Sequence, residues 1–167
     1  MPDLERARAE FDAALGRAEH ADQAFAALQA LTEEVVGAKL FTVMTVDMAA
    51  GVARRAYSSD ARSYPASGTK PIHYDAWFKG VSEQRVAFVA NTLADIAKVF
   101  PDYELIGSLG CGSVINLPIF IDDVFVCTVN MLHEEHYYTE DRVALAKTCL
   151  VRAAEQLMRR ATKKPGL

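Results

Sequence analysis

SVINLPIFI at residues 113–121 and VFVCTVNML at residues 124–132 are the two stretches that decide the fold. Each is apolar on both of its alternating faces, which is typical of strands covered on both sides of a sheet. Asp122 and Asp123 lie between the two stretches, where they suit a hairpin turn. The sequence therefore predicts an antiparallel hairpin at the centre of a sheet.

Three further strands are predicted upstream of this hairpin. Residues 40–47 are rich in β-branched and aromatic side chains, and a turn ending at Gly51 leads into a second strand over residues 52–58. Residues 59–71 contain Ser, Gly, Pro and Asp and are predicted to form a loop. A short strand is expected over residues 86–90.

Long helices are predicted at both ends of the chain. The first carries an apolar stripe at helical spacing that runs from Leu4 to Ala18. A second begins with Asp22 as its N-cap and ends at Gly37, although the two could be one helix kinked near Gly16. Thr139 is the predicted cap of the last helix. Short helices are expected around Trp77, over residues 93–99 and over residues 103–109.

This order of elements predicts an α+β fold. We expect a central antiparallel sheet with the long terminal helices on one face and the short helices over a pocket on the other. The length of 167 residues favours one domain over residues 1–167. Within it, residues 22–160 form the core, and residues 1–21 form a helix that pairs two copies as a homodimer.

Composition excludes several classes of function. The net charge of −4 argues against a broad nucleic-acid surface, which would be basic. No apolar run approaches the roughly 20 residues of a membrane span, and the charged N-terminus does not resemble a signal peptide. The cysteines are Cys111, Cys127 and Cys149, an odd number with two in apolar runs. They predict reduced thiols and a cytoplasmic protein.

The hairpin resembles the last hairpin of GAF domains. The segment from Ser113 to Ile119, which includes Pro118, matches the first strand of that pattern, and the segment from Val126 to His133 matches the second. The Tyr-Thr-Glu-Asp start of the final helix is also similar. The resemblance implies a small-molecule sensor, often dimeric and usually attached to an output domain. We expect no output domain in this chain.

One branch of that family suggests an enzyme. Free methionine sulfoxide reductases are short GAF domains that use a cysteine nucleophile and a resolving cysteine. Here only Cys111 precedes the hairpin, and the positions of the family's substrate-binding acids hold Val114, Asn130 and Leu132. We therefore keep a thiol-dependent oxidoreductase of this type only as the alternative, and we expect no catalytic residue.

Other ligand classes of the family leave no recognisable motif here. The cyclic-nucleotide signature is absent, since Asn91 is followed by Thr92 rather than lysine, and no Cys-His pair is present to attach a bilin. His133 and His136 lie three residues apart on a segment that leaves a strand, where they do not share a helical face. We expect no metal and no cofactor.

Polar residues within the apolar strands mark the expected ligand site. Whether Asn116 shares a face with Thr128 and Asn130 depends on the turn: a two-residue turn separates them, whereas a longer loop or a bulge brings them together. The predicted ligand-binding residues are Trp77, Phe100, Tyr103, Cys111, Asn116, Thr128 and Asn130. We expect Asn130→Leu to weaken binding while sparing the fold. The predicted function is small-molecule binding or sensing.

Overall fold

The computed structural model describes residues 2–163, and the hairpin predicted from the sequence lies in the interior of its sheet. The six strands are β1 (Leu40–Asp47), β2 (Val52–Ser58), β3 (Lys70–Pro71), β4 (Phe88–Ala90), β5 (Ser113–Ile121) and β6 (Val124–His133). They pair antiparallel in the order β3-β2-β1-β6-β5-β4. The two edge strands are the shortest.

The helices divide into two groups, as the sequence predicts. The long helices are α1 (Leu4–Arg17), α2 (Ala21–Val35) and α6 (Glu140–Lys163), and the short helices are α3 (Ala76–Ser82), α4 (Leu93–Ala97) and α5 (Tyr103–Ser108). The long helices share one hydrophobic core with a face of the sheet, and the short helices pack over the other face. The α+β architecture is confirmed.

Register in the central hairpin is set by a tight turn followed by a bulge. Asp122 and Asp123 have φ angles of 49° and 65°, so the turn has two residues in the left-handed region that aspartate tolerates. Phe120 pairs with Phe125, but Ile119 pairs with Cys127, which leaves Val126 as the extra residue of a β-bulge. The bulge therefore shifts every later pair by one position.

The structure corrects several details of the predicted elements. α2 begins at Ala21 with His20 at its N-cap, so Asp22 lies in the first turn instead of capping the helix. α1 and α2 are two helices rather than one kinked helix. The predicted loop over residues 59–71 ends in β3, which is two residues long and has too short a pattern to detect.

The apolar stripes of the terminal helices are covered within the chain. α1 packs against α2 and α6, which buries Phe11 and Leu15. Among the described residues of α1 and α6, Leu4 is the one large apolar residue that is exposed. The uncovered stripe that motivated the homodimer is not found on the described part of these helices. The homodimer itself is not tested by the fold of one chain and stays a prediction. No helix among residues 2–163 has the length and apolarity needed to span a membrane.

Candidate functional site: a cavity between the sheet and the short helices

A cavity of about 520 Å³ lies between the sheet and the short helices, where the sequence predicts a pocket. Its floor comes from β1, β5 and β6, and its roof comes from α3 and from the segment that joins α4 to α5. The long helices fill the opposite sheet face with a continuous core, whereas helices of one or two turns cover this face incompletely. The volume lies within the range of small-molecule sites.

Asparagine side chains form a ladder across the floor. The bulge places Asn116 directly opposite Asn130, and the Asn116 amide Nδ2 donates to Asn130 Oδ1 at 2.7 Å. Asn130 Nδ2 donates in turn to Thr42 Oγ1 at 3.1 Å, and the indole Nε1 of Trp77 donates to Asn116 Oδ1 at 3.1 Å. The ladder thus joins the floor to the roof, and its buried amides are partnered.

Thr128 differs from the asparagines of the floor because its side chain has no hydrogen-bond partner. It is fully buried and lines the cavity, yet no group within residues 2–163 bonds to its hydroxyl Oγ1. A buried hydroxyl without a partner costs about 1–3 kcal/mol. The hydroxyl has less than 1 Å² of accessible surface, so a bound molecule reaches it only when the Thr128 side chain turns toward the cavity.

Aromatic side chains form the roof. Trp77 and Phe100 meet edge to face with ring centroids 5.8 Å apart, and Phe100 meets Phe88 in the same way at 6.0 Å. Asp75 caps α3 by accepting from Phe78 N at 2.8 Å, which fixes the helix that carries Trp77. Edge-to-face pairs of this kind stabilise the roof without filling the space below it.

Three residues at the rim were not predicted from the sequence. The Arg55 guanidinium carbon lies 3.6 Å from the centroid of the Tyr64 ring, and the Tyr64 hydroxyl donates to Asp102 Oδ2 at 2.5 Å. Burial, aided by the hydrogen bond to Asp102, raises the pKa of Tyr64. Arg55 and Tyr64 come from β2 and from a loop without periodicity, so no pattern in the sequence marks them as neighbours.

Five of the seven predicted site residues line the cavity together: Trp77, Phe100, Asn116, Thr128 and Asn130. The three polar strand residues share a face because of the bulge, which is one of the alternatives that the sequence leaves open. Their role as ligand-binding residues stays a prediction. The structure does bring all five together around one cavity.

Tyr103 and Cys111 are not placed on the cavity wall. The Pro101–Asp102 turn before α5 reaches the cavity instead, and the Tyr103 hydroxyl lies 3.3 Å from the exposed Glu104 carboxylate. Cys111 lies in the turn after α5, where it is buried among apolar residues that include Ile106 and Leu132. Both belong to the packing behind the cavity and not to its surface.

Neither a family model nor a curated protein matches the sequence significantly. Solved structures do match the fold. The GAF domain of a phosphoenolpyruvate-protein phosphotransferase from Coxiella burnetii gives a TM-score of 0.69 at 16% identity, with 96% of each chain covered. This chain has the GAF fold. The predicted resemblance is confirmed at the level of the fold, because identities this low show no more than that.

Two further structures with this fold contain bound molecules. Free methionine-R-sulfoxide reductase from Neisseria meningitidis, in complex with its substrate, gives a TM-score of 0.65 at 15% identity, covering 98% of this chain and 94% of the reductase. The phycoerythrobilin-bound GAF domain of a cyanobacterial phytochrome gives a TM-score of 0.60 at 17% identity, covering 94% of this chain and 95% of the phytochrome domain. The GAF fold therefore accommodates both an enzyme and a chromophore-binding domain.

The cysteines of this chain are poorly placed for thiol chemistry. Cys127 faces the core beneath the long helices, and burial raises its pKa to about 12. Cys111 belongs to the core on the opposite face of the sheet, and burial also raises its pKa against the smaller opposing effect of Lys39. Cys149 lies half-buried on α6. Because the thiolate is the reactive form, these thiols are expected to be weak nucleophiles.

We therefore expect no turnover of free methionine sulfoxide. The measurement is thioredoxin-coupled NADPH oxidation with free methionine-R-sulfoxide, with a variant in which Cys111, Cys127 and Cys149 are all serine as the matched control. Wild type and variant should show the same background rate. A rate above background that Cys111→Ser abolishes would contradict this expectation and restore the reductase alternative.

The two histidines at the end of β6 and just beyond it are engaged by neighbouring groups. His133 Nδ1 accepts from the backbone N–H of Glu134 at 2.9 Å, and its ring stacks on Tyr137 with centroids 3.5 Å apart. His136 is exposed and faces Glu135 at 3.8 Å. Within residues 2–163, no group of three or more His, Cys, Asp or Glu side chains could hold a metal ion.

Proposed function

We propose that this protein binds a small molecule in the cavity between the sheet and the short helices, and that it works as a sensory GAF domain. The observation that carries the proposal is the floor of the cavity: a buried amide ladder with an unpartnered Thr128 hydroxyl beside it. Apolar walls with a few polar anchors are what a small-molecule site requires.

Comparison with neighbours of the same fold supports this proposal. The phytochrome GAF domain holds phycoerythrobilin, and the reductase was solved with its substrate. The cysteines here do not support chemistry of the reductase type. A third class of function is a dimerising scaffold whose core is closed and filled by side chains. A cavity of about 520 Å³ between the sheet and the short helices argues against that class.

Short helices provide a physical route from binding to a response. α4 has five residues and α5 has six, so each has few internal hydrogen bonds and depends on tertiary contacts. A ligand that packs beneath Phe100 would order this roof and change the surface that it presents. We propose that a partner protein or a second copy reads that change, and that the protein acts in the cytoplasm, in keeping with its three free cysteines.

Trp77 provides a direct test because it is the sole tryptophan of the sequence and it lines the cavity. We expect N-phenyl-1-naphthylamine, a neutral apolar fluorophore, to bind saturably and to accept excitation energy from Trp77. Phe100→Ala should weaken that binding about tenfold, the equivalent of about 1.4 kcal/mol, because it removes a roof contact.

Phe120→Ala is the matched control, because Phe120 lies at the far end of β5 and does not line the cavity. This variant should bind the fluorophore as wild type does. Absence of saturable energy transfer from Trp77, or equal loss in both variants, would count against the proposed site. Circular dichroism spectra of both variants confirm that the fold is retained.

A further inference from the structure

Charged side chains cluster at one end of the cavity. Of the residues that line it, Arg55 and Lys70 present cationic side chains on this face of the sheet, and Asp75 and Asp102 are carboxylates. Arg54 pairs with Thr45, so its side chain points to the opposite face of the sheet. The two carboxylates and the two cations differ in how far the protein itself already uses them.

Both carboxylates accept hydrogen bonds from the protein. Asp75 Oδ1 accepts from the backbone N–H of Phe78 at 2.8 Å as the cap of α3. Asp102 Oδ2 accepts from the Tyr64 hydroxyl at 2.5 Å. Each carboxylate thus has a structural role at the roof or the rim, so neither is a free anchor for a cationic ligand.

Arg55 is held in position but keeps hydrogen-bond donors available. Its guanidinium packs on the Tyr64 ring, and its Nη1 donates to the Pro65 carbonyl at 2.9 Å. Its Nη2 forms an ion pair with Asp102 Oδ2 at 3.9 Å, a separation too long for a hydrogen bond, so the charge of Arg55 is partly balanced while its N–H donors stay available. A guanidinium has five N–H donors, so a planar anion could still take two of them side by side.

Lys70 adds a second cation on the same face of the sheet. It pairs with Ala53 across β2 and β3, two residues along β2 from Arg55. Residues so related have side chains roughly 7–8 Å apart. No hydrogen bond or ion pair involves the Lys70 ammonium among the described residues, so its charge is available to a ligand.

We propose, on the basis of the proposed function, that the ligand is an aromatic or apolar organic anion. Its acidic group lies at the rim between Arg55 and Lys70, and its apolar body lies under Trp77 and Phe100. The ligand is thus charged at one end and apolar along its body.

A pair of probes that differ by one anionic group tests this assignment. 8-Anilinonaphthalene-1-sulfonate carries the same ring system as N-phenyl-1-naphthylamine and adds a sulfonate. We expect wild-type protein to bind the sulfonate about tenfold more tightly, measured for both probes by energy transfer from Trp77. Added NaCl should weaken binding of the sulfonate and leave binding of the neutral probe unchanged, because salt screens charge.

Substitutions of the two rim cations test which positive charges contact the sulfonate. Lys70→Gln and Arg55→Gln should each weaken sulfonate binding about three- to tenfold and leave the neutral probe unaffected. The matched controls are Lys79→Gln on the exposed side of α3 and Arg152→Gln on α6, neither of which lines the cavity. Lys70 is exposed and unpaired, so Lys70→Gln is expected to fold normally even if Arg55→Gln does not.

The outcomes separate the two proposals. Equal affinity for the two probes, or sulfonate binding that survives Lys70→Gln with both controls unchanged, overturns the anionic ligand and leaves the cavity site standing. Failure of both probes to receive energy from Trp77 overturns the site and the anionic ligand together. Selective loss of the sulfonate in the rim variants supports both.

Discussion

Gly37→Ala is expected to lower the free energy of unfolding by about 3–5 kcal/mol. Gly37 follows α2 with a φ of +102°, a conformation that strains any residue with a side chain. An added Cβ would overlap the Tyr137 hydroxyl and lie 2.8 Å from the ring carbon Cζ. The hydroxyl would have to give up its 3.1 Å hydrogen bond to the Val36 carbonyl.

Tyr137 cannot move aside at little cost. Its ring is stacked on His133 with an interplanar angle of 5°, and the Arg142 guanidinium carbon lies 4.0 Å from its centroid. Gly51→Ala is the control, because Gly51 also has a positive φ, +70°, but an added Cβ there meets nothing within 4 Å. We expect Gly51→Ala to cost only about 1 kcal/mol. Urea unfolding followed by circular dichroism gives both values, and equal losses would show that steric overlap at Gly37 is unimportant.

Asn130→Leu is expected to destabilise the protein by about 2–4 kcal/mol as well as to weaken ligand binding. Asn130 accepts from Asn116 and donates to Thr42, so leucine would leave two buried groups without partners. The sequence alone predicts that this substitution spares the fold. The hydrogen bonds change that expectation, because the side chain is a structural link in the floor as well as a candidate anchor.

Thr128→Val tests whether the unpartnered hydroxyl in the cavity floor contributes to the stability of the folded protein. The Thr128 hydroxyl has no protein partner, so its removal should leave the free energy of unfolding unchanged or raise it by up to about 1 kcal/mol. Urea unfolding measures the free energy of unfolding of Thr128→Val and of Asn130→Leu side by side. A loss in Thr128→Val as large as that in Asn130→Leu would mean that the threonine hydroxyl stabilises the folded protein, and the ligand anchor would have to be sought elsewhere.

Long periodic segments were predictable from the sequence, and short ones were not. β5, β6 and α6 carry nine or more residues of regular pattern, so their apolar alternation or stripe identifies them. β3 contains only Lys70 and Pro71, and its pairing with β2 depends on a tertiary contact. The His20 cap of α2 makes no side-chain hydrogen bond, so it has no chemical signature in the sequence.

The residues of the candidate site also fall into those that the sequence marks and those that only the fold brings together. Polar residues inside apolar strands are conspicuous in a sequence, which identifies Asn116, Thr128 and Asn130 as candidates. Large aromatic residues near the expected roof identify Trp77 and Phe100. Arg55, Tyr64 and Asp102 lie on three separate segments that meet only in three dimensions. Tyr103 was misplaced by one residue, since the turn before α5 faces the cavity and the first residue of the helix does not.

Val126 is the one residue of β6 that has no partner in β5. Adjacent strand residues point to opposite sides, so a ladder in which Val126 paired with Ile119 would exchange the two surfaces of β6 beyond that point. Val129 would then stand beside Asn116, and the amide of Asn130 would turn into the packed layer under α2 and α6. Deletion of Val126 would instead leave a regular ladder with Asn116 still opposite Asn130. The polar floor of the cavity therefore depends on the exclusion from pairing of a residue that does not itself line the cavity.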